Sequence, residues 1–67
     1  MMKLKILRHN AGMSRKQLET KSGVSARLIK SYEDETRDIN CAKAITLYKL
    51  AQALDVKMED LIDPDKQ

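Results

Sequence analysis

Between Ala26 and Glu33 the chain reads ARLIKSYE, and winding it as a helix gathers Ala26, Arg27, Lys30 and Ser31 on one side and Ile29 and Tyr32 on the other. The first set suits recognition, not bond making. An Arg guanidinium carries its donors in a planar fork that fits guanine O6 and N7 in a major groove, and Lys adds a point charge. Catalysis needs clustered groups, and here the lone histidine, His9, and the lone cysteine, Cys41, stand far apart in sequence. Periodicity puts His9 on the polar side of its helix. Cys41 has no second cysteine or nearby histidine with which to share a metal ion, and its ordinary role is a small residue at a helix start. Gly12 and Gly23 are the only glycines, so no phosphate-cradling glycine loop exists. Asp55, Glu59, Asp60 and Asp63 read as a solvated acidic face. The residues point away from an enzyme, a metal centre or a cofactor.

To present that face, the helix needs a second one packed against it. Ser14 followed three residues later by Gln17 is the capping-box pattern, so a helix should start at Arg15, carry Leu18 inward and stop near Ser22. Gly23 accepts the left-handed backbone that closes such a helix. Val24 then returns to the core, and Ser25 caps the next helix, whose Ile29 and Tyr32 lie at i, i+3 on an apolar stripe. The two helices should thus fold at an angle about Gly23.

The flanking segments are also helical. From Lys3 to Asn10, Leu4, Ile6 and Leu7 alternate with Lys3, Lys5 and Arg8, which predicts a helix with one buried side, ended by Gly12. The polar stretch DETRDIN reads as a loop, with Asn40 capping a helix that CAKAIT, Cys41 to Thr46, begins early. In it Ala44, Leu47, Leu50, Ala51 and Leu54 recur at three- and four-residue steps and should face inward. A brief last helix, about Met58 to Ile62, stops before Asp63 and Pro64. The tail, Asp65 to Gln67, is expected to fray.

Sixty-seven residues fit one domain, with its core at about 4–62, and a chain of this size buries only about 60% of its unfolded surface. There is no Phe or Trp. The core must come from Leu, Ile, Val, Met and Ala on helices with mostly local contacts, which predicts an all-α bundle. No run of about 18 apolar residues offers a membrane span, and the N-terminus has no apolar stretch of the secretory kind. A single cysteine agrees with a reducing compartment, so the expected location is the cytoplasm. The net charge of +3 conceals a division. Residues 1–32 hold eight Lys or Arg against Glu19 alone, giving +7, whereas residues 33–67 hold five basic and nine acidic residues, giving −4. Positive charge thus gathers on the half with the two angled helices, as a chain approaching phosphates requires.

These features together resemble the helix-turn-helix of the phage-repressor family, the lambda repressor and Cro relatives often called XRE-type regulators. The resemblance lies in Leu4, Leu7, Arg8, Gly12, Met13 and Ser14, then Leu18, Gly23, Val24, Ser25, Ile29, Tyr32, Glu33 and Arg37, and in LYKLAQALDVKMEDLI from Leu47 to Ile62. It runs from about Leu4 to Ile62. Three positions depart from the family pattern. Glu19 replaces the usual Ala where the two helices cross and must turn its carboxylate outward to avoid prying them apart. Ser22 replaces an apolar residue. Glu35 replaces the Gly that usually follows the recognition helix, which predicts a different exit turn.

The resemblance implies a five-helix DNA-binding domain and a transcriptional regulator, a repressor that binds operator DNA as a homodimer, with the helix from Ser25 in the major groove. Arg27 is then the main base reader, beside Ala26, Lys30 and Ser31. Arg15 should bind a phosphate, aided by backbone amides and the helix dipole, with Lys16 a weaker contact and Ser25 at the start of the next helix. Family position adds Arg37 as a second phosphate contact. The closing segment often supplies the two-fold contact in this family, which makes Val56, Met58, Leu61 and Ile62 dimer-contact candidates, although part of that apolar surface must close the core. A rival reading keeps the fold and gives up DNA. Glu19, Glu35 and the acidic second half fit an antitoxin-like module with a protein partner. An RNA-binding reading has less support, because Tyr32 and Tyr48 are the only aromatic residues.

Overall fold

The computed structural model describes residues 3–62. It contains four α-helices: α1 (Lys3–Asn10), α2 (Arg15–Ser22), α3 (Ala26–Glu33) and α4 (Ala44–Leu54). A 3-10 turn, Ile39–Cys41, precedes α4, and another, Met58–Asp60, follows it. The expected all-α architecture is present with four helices among the described residues, and where a fifth helix was expected, at about Met58 to Ile62, there is a 3-10 turn of three residues, Met58–Asp60. Residues 63–67, to which the frayed tail and the Pro64 stop were assigned, lie outside the described residues.

The start of α2 follows from its side chains. The Ser14 hydroxyl accepts the Gln17 amide at 3.1 Å and the Gln17 side-chain oxygen accepts the Ser14 amide at 2.8 Å, so two otherwise orphaned donors are satisfied reciprocally. Gly23 closes the helix at φ 80° and donates its amide to the Glu19 carbonyl at 2.8 Å. Ser22, the residue that departs from the apolar family position, takes a local role. Its hydroxyl accepts the Val24 amide at 3.0 Å and fixes the turn between the helices. Ser25 then caps α3 by accepting the Leu28 amide at 3.1 Å.

α2 is the central element, packing on both α3 and α4, while α1 lies against α3 and the last turn against α4. Leu4, Leu18, Ile29, Leu50 and Leu61, from five different segments, are completely buried where these elements meet, surrounded by Val24, Tyr32, Ile39, Leu47, Ala51, Ala53 and Leu54. Glu19 does not separate α2 from α3. Its carboxylate turns outward to Lys16 Nζ at 3.3 Å.

Several expectations are corrected. α4 begins at Ala44, not within residues 40–43: the Asn40 amide instead donates to Asp38 Oδ1 at 2.9 Å, which starts the separate 3-10 turn. Ala44 is exposed, and Ala53 is buried in addition to the expected residues of α4. On α1, Ile6 is exposed, whereas Arg8, expected on the polar side, is buried. The reason is geometric, since Arg8 lies four residues after Leu4 and shares its inward stripe. The exit turn after α3 does not change to suit Glu35. Glu35 takes φ 61°, the left-handed conformation that glycine would adopt without a Cβ penalty.

Candidate nucleic-acid interface

The inward side of α3 is fixed at three points, Ile29, Tyr32 and Glu33, all buried. The Glu33 carboxylate, with no exposed side-chain surface, receives Arg8 Nε on Oε2 at 2.7 Å and Arg8 Nη2 on Oε1 at 3.1 Å. Arg15 Nε adds a third donor to Oε1 at 2.9 Å. Arg8 spends its remaining nitrogen on the Met13 carbonyl at 2.8 Å, which ties down the chain between α1 and α2. One carboxylate on α3 therefore joins α1 and α2. Burial alone would raise the Glu33 pKa, but hydrogen bonds from Arg8 and then Arg15, with their charges, outweigh it and hold the carboxyl below its ordinary value of 4.5.

With that side anchored, the opposite side of α3 faces solvent. Arg27 is exposed, and its guanidinium has no partner among the described residues. Ala26 is half-buried. Lys30 is exposed but reaches one turn along the helix to Asp34 Oδ2 at 2.7 Å. The Lys30 hydrogen bond lowers the Asp34 pKa, desolvation opposes it, and the charges of Lys30, Arg15 and Lys5 add to the lowering. Half-buried Ser31 donates its hydroxyl to the Arg27 carbonyl at 3.0 Å, leaving the oxygen lone pairs available as acceptors.

The other candidates surround this helix. Arg15 begins α2 and is half-buried, Lys16 is exposed and paired with Glu19, and Ser25 is exposed while its hydroxyl caps α3. Arg37 is exposed on the exit loop. That loop is tied back to α3, because the Ser31 carbonyl accepts the Thr36 amide at 3.0 Å, the Thr36 hydroxyl at 3.1 Å and the Arg37 amide at 3.2 Å. Base-edge and phosphate candidates are thus drawn from α2, α3 and one clamped loop.

Of the dimer candidates, Leu61 is corrected outright: it is completely buried and belongs to the core. Val56, Met58 and Ile62 are partly buried and pack against the core. The large apolar residues exposed among those described are Ile6, Ile45 and Tyr48. Sequence reasoning missed Arg8 and Glu33 as partners, and it missed Asp34 as the residue that holds Lys30. The i, i+4 spacing of Lys30 with Asp34 carries the second of these signals, and that of Leu4 with Arg8 marks Arg8 as inward-facing, but nothing local marks Glu33 as its partner.

Two comparisons accord with this geometry. The sequence model of the Helix-turn-helix family matches residues 4–61, a span that takes in nearly all of the four helices and both 3-10 turns. The HTH-type transcriptional regulator y4dJ of Sinorhizobium fredii, itself uncharacterised, is 38% identical over 58 residues, covering 87% of this chain and 71% of that protein. No solved structure matches the chain significantly. With its capped α2, its turn at Gly23 and a match over most of its length, the chain belongs to the XRE-type helix-turn-helix family.

Proposed function

We propose that this protein is a sequence-specific DNA-binding transcriptional regulator that acts as a repressor, lying as a homodimer across an operator with α3 in the major groove. The observation that carries the reading is the division of α3. Its inward residues are locked into the core and the Arg8–Glu33 pair, while exposed Arg27 stands on the outward side with no partner among the described residues. A guanidinium so placed can bond a guanine edge in fork fashion, with Ala26 giving close approach and Ser31 offering an acceptor. Lys30 reads bases only after leaving Asp34, which makes it secondary to Arg27. Arg15, Lys16 and Arg37 meet phosphates on either side of the groove, and the Ser25 end of α3 approaches the backbone. The half-buried Val56, Met58 and Ile62 supply the two-fold contact. Repression follows from occupancy, because a bound dimer blocks the site it covers.

One observation favours a second reading. Arg15, Lys16 and Lys30 each already meet a carboxylate, so part of the basic face is compensated internally, as a module with a protein partner would tolerate. Selection of bound duplexes from a randomised pool at about 0.15 M salt separates the two. A repressor dimer enriches a two-fold symmetric site with half-site centres about 34 Å apart. A protein-binding module enriches nothing and binds random duplex with almost no salt dependence.

A further inference from the structure

The ion cluster beneath α3 is unbalanced: two arginines share one carboxylate. Arg8 is buried and uses every guanidinium nitrogen, two on Glu33 and one on the Met13 carbonyl. That bidentate pair already neutralises Glu33, so the charge of Arg15 is surplus to it. Arg15 differs from Arg8 in exposure as well as in charge balance. Its side chain is 34% exposed, it gives only Nε to Glu33, and its two terminal nitrogens have no hydrogen-bond partner among the described residues. A long, flexible side chain is therefore gripped at its inner nitrogen, with its cationic end left for an anion.

We propose that Glu33 is the positioning residue of a phosphate site at the start of α2, holding Arg15 so that its terminal nitrogens meet a phosphodiester of duplex DNA. This rests on the reading of Arg15 as a phosphate contact and adds what orients it. The ordering cost of the Arg15 side chain is met during folding, so less remains to be met on binding. Since Glu33 lies on α3, the phosphate contact and the base-reading helix share one anchor. Positioning and simple charge attraction make opposite demands on Glu33. Attraction alone improves when the carboxylate is removed, whereas a site that depends on orientation weakens.

The test measures affinity for a random-sequence duplex as a function of salt with the full chain and its Glu33→Gln and Arg15→Lys variants, at temperatures where circular dichroism shows each folded. The expected result is severalfold weaker binding by Glu33→Gln despite its added positive charge. Arg15→Lys, which keeps the charge and loses the fork, should bind about tenfold more weakly with an unchanged salt slope. Equal or tighter binding by Glu33→Gln, or wild-type affinity in Arg15→Lys, overturns the proposal while DNA binding itself stands. Should Glu33→Gln fail to fold, Glu33→Asp takes its place: it keeps the charge and shortens the reach to Arg15 Nε, so severalfold weaker binding is expected and wild-type affinity overturns the proposal. Absence of any salt-dependent binding by the wild type refutes the DNA reading instead. Titration with inorganic phosphate then probes the site directly: a shift of the Arg15 terminal Nη–H resonances, with Nε–H still held by Glu33, supports it, and stationary Nη–H resonances overturn it.

Discussion

Two regions hold this small domain together by different physics. Where α2 meets α4 and the last turn, the contact is apolar, with Leu18, Leu47, Leu50, Leu54 and Leu61 buried. Where α1, α2 and α3 converge, the centre of the contact is a buried carboxylate between two guanidiniums. An apolar seam is set by volume and patterning and accepts alternative packings at modest cost. An ionic junction accepts few geometries, because each donor must meet its acceptor or leave a buried charge unpaired. The seam can therefore drift slightly without consequence, while the junction fixes the helix that carries Arg27. Specificity of orientation is concentrated where the candidate interface needs it.

Breaking each region in turn tests this contrast. Arg8→Ala strands Glu33 with one half-exposed partner and should cost about 3–5 kcal/mol of stability, read from urea unfolding. The exchange of both residues, Arg8→Met with Glu33→Leu, should recover most of that loss, and failure to recover would mean the junction does more than neutralise itself. In the seam, Leu50→Ala should cost about 2–5 kcal/mol through lost burial and the cavity it leaves. No polar exchange there should restore it.

Acid distinguishes the two regions further. The folded Glu33 pKa lies below its unfolded value, so its contribution to stability is complete above pH 4.5 and declines as the pH falls through the lowered folded value. Stability measured against pH should fall on that acid limb in the wild type, and the Arg8→Met, Glu33→Leu exchange should remove the Glu33 share of it, leaving the share of the Lys30-paired Asp34. Protonation leaves the carboxyl in place, so this loss is smaller than that of Arg8→Ala. A Leu50→Ala protein should keep the full acid slope at its lower stability.

Arg27 belongs to neither region, and Arg27→Ala should leave the melting temperature nearly unchanged. It should cost about 1–3 kcal/mol on the preferred duplex and relax base preference at one position. An equal loss on preferred and random duplexes would deny it the base-reading role. The smallest change is at Glu35, whose φ of 61° carries a Cβ penalty. Glu35→Gly should stabilise the protein by about 1 kcal/mol, since relief of the left-handed strain exceeds the added freedom of the unfolded chain. An unchanged or lower midpoint of unfolding would show that the turn is relaxed as it stands.

The helices were legible because their signals are local. Ser14 with Gln17, Gly23 and Ser25 each act within a few residues, and the structure keeps all of them where spacing put them. The apolar stripe of α3 was legible for the same reason. The ionic junction was not, because Arg8 and Glu33 are 25 residues apart and each looks like an ordinary surface charge when read alone. The start of α4 is not legible because Asp38 caps a separate 3-10 turn instead, and α4 itself begins after Lys43 with no side-chain cap to mark it. Leu61 shows a further limit: periodicity identifies an apolar face but not whether the fold closes over it or leaves it for a second chain.

The three donors gathered on the Ser31 carbonyl make the segment after α3 a spoke and not a hinge. Arg37 is thereby geared to the helix axis, and any roll of α3 in a groove would sweep Arg37 along the flanking strand by a matching arc. Inserting a residue between Ser31 and Arg37 would uncouple that gearing without touching a single base-facing side chain.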